Sequence, residues 1–183
     1  YELVSIEGFL KLGREVERIG TKEKLLGTFI VTPQGINATL AGSKQGLLNL
    51  ISLLQDKHNL LINYPHWSRS IKIPFKRFKV RLKKKLLPLE DTFNLLEKRG
   101  KLVDPSEWNA LISNNKTLVL DVRNEYETNI GYFNGSTNPL TKNFTDFTNF
   151  VETKLQDYKS ENIAMYCTGG IRCEIASSYL LQK

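Results

Sequence analysis

The residues with the clearest chemical potential form one short run, Tyr166-Cys167-Thr168-Gly169-Gly170-Ile171-Arg172-Cys173-Glu174. An apolar stretch, Asn162 to Tyr166, leads into Cys167, and an apolar helical stretch, Ile175 to Leu181, follows. A strand, a Gly-Gly loop and a helix in that order turn successive backbone N–H groups inward at the positive end of a helix dipole. A thiol at the rim of such a nest, with Arg172 beside it, is expected to ionise readily and to act as a nucleophile or sulfur carrier. Four residues separate Cys167 from Arg172. Cysteine phosphatases use a longer loop sized for a tetrahedral phosphate; this smaller ring suits the terminal sulfur of a persulfide. The plain alternative is a structural thiol followed by a turn, but strand, Cys, Gly-Gly, Arg and helix together are more specific than any one of them. Cys173 reads as a resolving thiol, as a lining residue or as a small apolar helix residue.

The elements that must hold this loop read as alternating strands and helices. Asp104 is placed to cap a helix that has Pro105 at its first position. Thr117 to Val122 is a continuous apolar run of the kind found in buried parallel strands. Asn143 to Gln156 carries a helical stripe at Phe147, Phe150, Val151 and Leu155. This pattern predicts a parallel α/β domain over residues 105–183. A domain of that class is expected to add another strand and helix after the helix that follows Cys167, so the fold is expected to be incomplete at its C-terminus; separately, the lack of a starting Met leads us to expect a trimmed chain. Asp121, Arg123, Glu125 and Glu127 form a charged group expected to make ion pairs that support the cysteine loop, the support residues being Asp121, Arg123 and Glu125.

Ahead of this lies a different unit, residues 1–88, joined by a linker over 89–104. Tyr1 to Ile6 predicts a short strand and Phe9 to Ile19 a helix. Leu25 to Val31 and Ile36 to Ala41 predict a hairpin about Pro33-Gln34-Gly35. A second helix starts after Gly42-Ser43, with Leu47, Leu48, Leu50, Ile51 and Leu54 on its buried side. It gives way to Asn59 to Asn63, and a last strand runs from about Ser70 to Leu82. The order βαββαβ predicts a ferredoxin-like or acylphosphatase-like sandwich.

Charge is concentrated in this unit. Between Lys57 and Leu89 there are ten basic residues and no acidic one, against a net charge of +7 for all 183 residues, so the remainder is net negative. Phe78, Val80 and Leu82 alternate with Lys79, Arg81 and Lys83, and Lys76, Arg77, Lys84 and Lys85 stand at the ends. That spacing predicts a strand with one apolar face and a row of cations on the other, suited to a phosphate backbone or simply to solvent. His66-Trp67, and His58 before it, could stack on a base but read better as loop packing. Gly35, Ile36 and Asn37 read as part of the hairpin turn.

Composition excludes disordered and collagen-like classes, and no apolar run approaches the length of a membrane helix. Two cysteines cannot build a disulfide scaffold and point to a reducing, cytoplasmic setting. With two histidines elsewhere, they do not make a four-ligand zinc site. Neither a P-loop nor a Rossmann glycine pattern is present, and no nucleotide or flavin signature is seen.

The second unit resembles a rhodanese domain. Asp121 to Glu127 is similar to the rhodanese segment after its first core strand. Ile130 to Pro139 is similar to its Gly-His-Ile-x-Gly-Ala-x-Asn segment, with Tyr132 in place of the His, Phe133 of the Ile and Ser136 of the Ala. Cys167 to Glu174, together with Gln34-Gly35-Ile36-Asn37-Ala38-Thr39-Leu40-Ala41-Gly42, is similar to the oxygen-dependent tRNA uridine hydroxylases, in which an acylphosphatase-like domain precedes a rhodanese domain. That family shows Glu and Gly at the positions of Gln34 and Ala38, and Lys at that of Ile175.

The resemblance implies oxygen-dependent 5-hydroxylation of the wobble uridine of tRNA, with molecular oxygen as co-substrate and the anticodon loop as partner, in the cytoplasm. It implies Cys167 as the essential active-site residue, with Thr168, Gly169, Gly170, Ile171, Arg172 and Cys173 framing its pocket. It adds weight to the basic residues as an RNA-binding row and makes Gly35, Ile36 and Asn37 a weaker RNA-facing candidate. A sulfurtransferase carrying sulfane sulfur on Cys167 is the alternative, and a non-catalytic RNA-binding module is a third reading. A phosphatase fits least, on loop size and on the lack of a general acid.

Overall fold

Alternation of apolar and polar residues drives the first sheet. β2 (Leu26–Thr32) and β3 (Gly35–Ala41) form an antiparallel hairpin in which Phe29 faces Ala38 and Val31 faces Ile36. The tight connection is fixed by Thr32, whose hydroxyl donates to the Gly35 carbonyl at 3.1 Å and accepts from Gln34 N–H at 3.0 Å. β1 (Glu2–Leu3) lies antiparallel to β3, and β4 (Phe78–Leu82) runs parallel to β2, giving the sheet order β1-β3-β2-β4.

α1 (Phe9–Lys22) and α2 (Lys44–Ser52) cover one face of this sheet. Leu12, Val16, Leu25, Phe29, Val31, Ile36, Leu50 and Leu54 form one buried cluster there, with Phe78 and Val80 packed against it. The approach of α1 to β4 is close, because a Cβ at Gly20 would lie 2.2 Å from the Phe78 ring. Ser43 caps α2 by accepting from Gly46 N–H at 3.0 Å, a cap contributing about 1 kcal/mol. Beyond α2, Leu53–Lys57 continues as a π-helical turn that brings Lys57 and His58 onto Glu15, at 2.8 and 3.0 Å.

The structure, a computed structural model, describes residues 1–62, 65–86, 98–155 and 162–183. The chain divides into two units, Tyr1–Leu86 and Leu87–Lys183. Asn63 and Gln156, which end two expected segments, and residues 89–97 of the expected linker lie outside the described residues. Among the described residues no helix is long and apolar enough to cross a membrane.

Three expectations are corrected. The last strand of the first unit begins at Phe78, not Ser70: its ladder on β2 starts at Gly27, whose N–H donates to Arg77 at 2.9 Å. Before that point Pro74 has no N–H to offer, and Ile71 and Ile73 are exposed. The first strand is shorter than Tyr1 to Ile6, because Val4 and Ile6 pair with the Gln34 and Pro33 carbonyls of the turn rather than with β3. Leu48 is exposed, since at 100° per residue it points away from the side that buries Gly46 and Leu50.

In the second unit, β5 (Thr117–Asp121) and β6 (Asn162–Tyr166) pair in parallel, with Asp121 opposite Tyr166. α3 (Pro105–Ile112) opens with a full capping box: Asp104 accepts from Ser106 and Glu107 N–H, and Glu107 reaches back to Asp104 N–H. A short helix that the periodicity did not announce, α4 (Glu125–Thr128), follows β5. α5 (Phe144–Lys154) buries Phe144, Phe147 and Val151, and α6 (Ile171–Gln182) buries Ile175, Ala176 and Tyr179.

Candidate active site around Cys167

Cys167 follows the last residue of β6 directly and so stands at the carboxyl end of a parallel strand pair, the usual position of sites in open α/β sheets. Val122 N–H donates to the Tyr166 carbonyl at 3.0 Å and holds that strand end in register. Gly170 adopts φ 86°, a conformation that side chains disfavour, and this aims its N–H at Cys167 Sγ, 3.1 Å away. Cys167 is half-buried and its pKa is lowered to about 5 from an ordinary 9.0. The main cause is a hydrogen bond from the Cys173 thiol; burial opposes it, and the backbone N–H groups of Cys173, Gly169 and Gly170 add to it. Cys173 is pushed up correspondingly, because its proton is held by Cys167 and its site is buried. The geometry therefore holds a thiolate beside a protonated thiol at neutral pH. Neither cysteine is in a disulfide.

Arg172 lies close enough to Cys167 for their charges to interact, but its hydrogen bonds go elsewhere. Its guanidinium makes a two-pronged ion pair with Glu127, at 2.6 and 2.7 Å, and a further bond to the Thr168 hydroxyl at 3.3 Å. Thr168 also donates to Glu127. A planar fork matches a carboxylate better than a single sulfur, so the carboxylate captures it. Glu127 is held at about 2, chiefly by Arg172. Thr168 and Arg172, the flanks of the loop, are thus clamped to α4.

A second network fixes the strand end. Burial raises the Asp121 pKa, but hydrogen bonds from Arg123 and Tyr166 outweigh it and the group lies below the usual carboxylate range. Arg123 reaches Asp121 at 2.8 and 2.6 Å and also donates to the Gly131 carbonyl at 2.6 Å. Tyr166 Oη donates to Asp121 at 2.8 Å, accepts from Phe133 N–H at 3.2 Å, and lies 2.9 Å from Ser136 Oγ. Its ring packs edge-on against Phe133 and Trp108 and lies under the Arg123 guanidinium.

Of the expected support residues, Asp121 and Arg123 form their own pair one residue from the loop. The hydrogen bond given by Glu125 is from its backbone N–H to the Thr141 carbonyl, at 3.0 Å, and not to the cysteine loop. Glu127, on α4, is the carboxylate that grips the loop. Tyr166 was missed, although a tyrosine directly before the cysteine and opposite a buried Asp could have signalled it.

In the first unit, the register sets Asn37, Ile30 and Arg81 side by side across β3, β2 and β4, and Thr39, Thr28 and Lys79 in the next row. These rows lie on the face opposite Phe29 and Val80. Arg77 first, then mild burial and Arg81, lowers the Lys79 pKa, as expected where like charges crowd. Lys76, Arg77, Arg81, Lys83 and Lys84 are exposed and Lys85 is half-buried; Lys83 to Lys85 lie beyond the end of β4. His58 is tied to Glu15, while His66 and Trp67 are exposed rather than packed. Gly35 closes on the Glu2 carbonyl in the hairpin, and Ile36 is core.

Residues 1–86 match the UPF0176 acylphosphatase-like domain. Across its whole length the chain is 37% identical to the tRNA uridine(34) hydroxylase of Sinorhizobium medicae, covering 58% of that protein. It is 36% identical to the protein of that name from Picosynechococcus, covering 62% of it, and 35% identical to that of Sinorhizobium fredii, covering 59%. Along its whole length the chain is similar to proteins named tRNA uridine(34) hydroxylase. It spans about three-fifths of the length of these relatives. The family model covers the sheet that bears the cation row, and the similarity to the relatives extends over the unit that bears Cys167 as well.

Proposed function

We propose that the protein containing this chain is a tRNA-modifying enzyme that hydroxylates carbon 5 of the wobble uridine in an oxygen-dependent reaction, with Cys167 as its reacting group. The observation that carries the reading is the ionised Cys167 thiol in its cradle of N–H donors, in a chain whose relatives along its entire length bear the name of that activity.

The thiolate suits addition to carbon 6 of the pyrimidine, which places an electron pair on carbon 5 and makes it nucleophilic. Molecular oxygen would supply one atom to carbon 5, and a two-electron reductant would send the other away as water. Loss of the carbon 5 proton and of the thiolate then restores the double bond. The protonated Cys173 is placed to keep Cys167 ionised when the site is empty. Residues 1–88 act as the RNA-binding domain, with Lys76, Arg77, Lys79, Arg81, Lys83, Lys84 and Lys85 along the phosphate backbone of the anticodon arm and Asn37 beside them. Residues 105–183 act as the rhodanese-like domain, in a cytoplasmic protein.

The test is mass spectrometry of wobble nucleosides in tRNA from cells lacking the gene. Complementation would use the full-length wild type or Cys167→Ser. Loss of 5-hydroxyuridine, restored by wild type and not by Cys167→Ser, is the expected result. Unchanged 5-hydroxyuridine, with other routes removed, would sink the reading in favour of persulfide transfer to a thiol acceptor.

A further inference from the structure

The cysteine loop is bordered by a surface with an unusual balance of groups. From Thr128 to Thr141 the chain carries no charged residue. Within and beside that stretch, Tyr126 is 66% exposed, Tyr132 67% and Phe133 44%. Exposed rings and leucine-like side chains on a folded surface are costly unless something covers them. Each ring-bearing segment is fastened to the loop. Tyr126 precedes Glu127, which grips Arg172 and Thr168, and it is close enough to Arg172 to act on its charge. Tyr132 lies between Gly131, whose carbonyl accepts from Arg123, and Phe133, whose N–H donates to the Tyr166 hydroxyl. Tyr166 is the residue before Cys167.

We infer that Tyr126, Tyr132 and Phe133 form a stacking surface for unpaired RNA bases next to Cys167. This inference rests on the reading of the protein as a tRNA-modifying enzyme. The chemistry favours bases over phosphates: the stretch from Thr128 to Thr141 is uncharged, the Glu127 carboxylate beside Tyr126 is neutralised by Arg172, and exposed Asn134 offers an amide for base edges. Aromatic rings accept any base by stacking, and only unpaired bases can reach them. Tyr132 and Phe133 also stand where the rhodanese pattern has His and Ile. Bases flanking the reactive uridine are therefore held by rings in this unit, and the cations of the first unit hold the backbone.

The test measures binding of the full-length protein to a labelled RNA hairpin with an unpaired uridine in its loop, and to a blunt RNA duplex of the same stem. Tyr126→Leu and Tyr132→Leu keep apolar bulk without a ring, whereas Tyr126→Phe and Tyr132→Phe keep the ring. Each Leu variant should bind the hairpin about tenfold more weakly, with duplex binding unchanged, and each Phe variant should match wild type. An unchanged midpoint for Cys167 alkylation shows that the loop is intact. If the Leu variants bind the hairpin as wild type does while Lys79→Ala still weakens it, the stacking surface is refuted and the RNA reading survives. If Phe variants lose as much as Leu variants, stacking is not the contact and the inference also fails. If wild type binds neither RNA, both the inference and the reading beneath it fall.

Discussion

Arg172 and Glu127 form a fork-to-fork ion pair, 2.6 and 2.7 Å long, that commits the only arginine of the cysteine loop to a carboxylate on another element. Both side chains are largely buried, at 17% and 14% exposure. The pair is therefore a clamp that sets the loop's shape, and the Cys167 thiolate depends chiefly on N–H and S–H donors, with the guanidinium acting on it through charge alone.

Removing the carboxylate charge should loosen the clamp. Glu127→Gln is expected to cost about 2–3 kcal/mol in urea unfolding at neutral pH, because it leaves a largely buried guanidinium without its counter-charge. The folded pKa of Glu127, about 2, lies below its ordinary 4.5. A depressed carboxylate stabilises the fold fully above about pH 4.5, fades below that, and contributes nothing once pH has fallen through about 2. The gap between wild type and Glu127→Gln should narrow over that window. A gap that stays constant down to pH 2 would show that the cost is steric.

The thiol pair makes a separate prediction. Alkylation of Cys167 by iodoacetamide should rise with a midpoint near pH 5. Cys173→Ala removes the donor that contributes most to that shift, so the midpoint should move upward toward the ordinary thiol range. Cys173→Ser retains an O–H donor and should fall between the two. A midpoint unmoved by Cys173→Ala would mean that the backbone N–H groups alone hold the thiolate.

Legibility of this site in the sequence followed the range of the interactions. The strand, the Gly-Gly loop and the helix are written in consecutive residues, as is the Asp104-Pro105-Glu107 helix start, and local signals of that kind can be read directly. The partner of Arg172 lies 45 residues away on a four-residue helix that has no periodicity to reveal it. The cations of β4 were readable from alternation, but the length of that strand was not. Its length is set by where β2 begins, a non-local fact, so apolar Ile71 and Ile73 looked like strand residues and are exposed coil.

Gly170 offers a test of backbone geometry. At φ 86° a side chain is strained, so Gly170→Ala should destabilise the unit by about 1–3 kcal/mol or twist the loop to relieve the strain. Twisting would turn the Gly170 N–H away from Cys167 and raise the midpoint of alkylation. Thermal unfolding and the alkylation profile, measured together, separate the two responses. If neither changes, the loop tolerates that twist and the N–H contact at 3.1 Å is dispensable.

The cation row makes a prediction in the slope of affinity against salt. Each Lys or Arg that neutralises a phosphate adds a released counterion, so removing one should lower the slope of log affinity against log salt by about 1. Lys79→Ala and Arg81→Ala should each do this for tRNA, because both lie in adjacent rows on the sheet face opposite the helices. Lys44→Ala, at the start of α2, is the control and should leave the slope unchanged. Lys79 is the more informative residue. Crowding by Arg77 and Arg81 lowers its pKa in the free protein, and a bound phosphate would relieve that crowding. Binding should therefore raise the Lys79 pKa, a shift that NMR of the labelled Lys79 ammonium can follow. A slope equally sensitive to Lys44 and Lys79, with no change at the Lys79 ammonium, would identify general charge attraction and remove β4 as the contact.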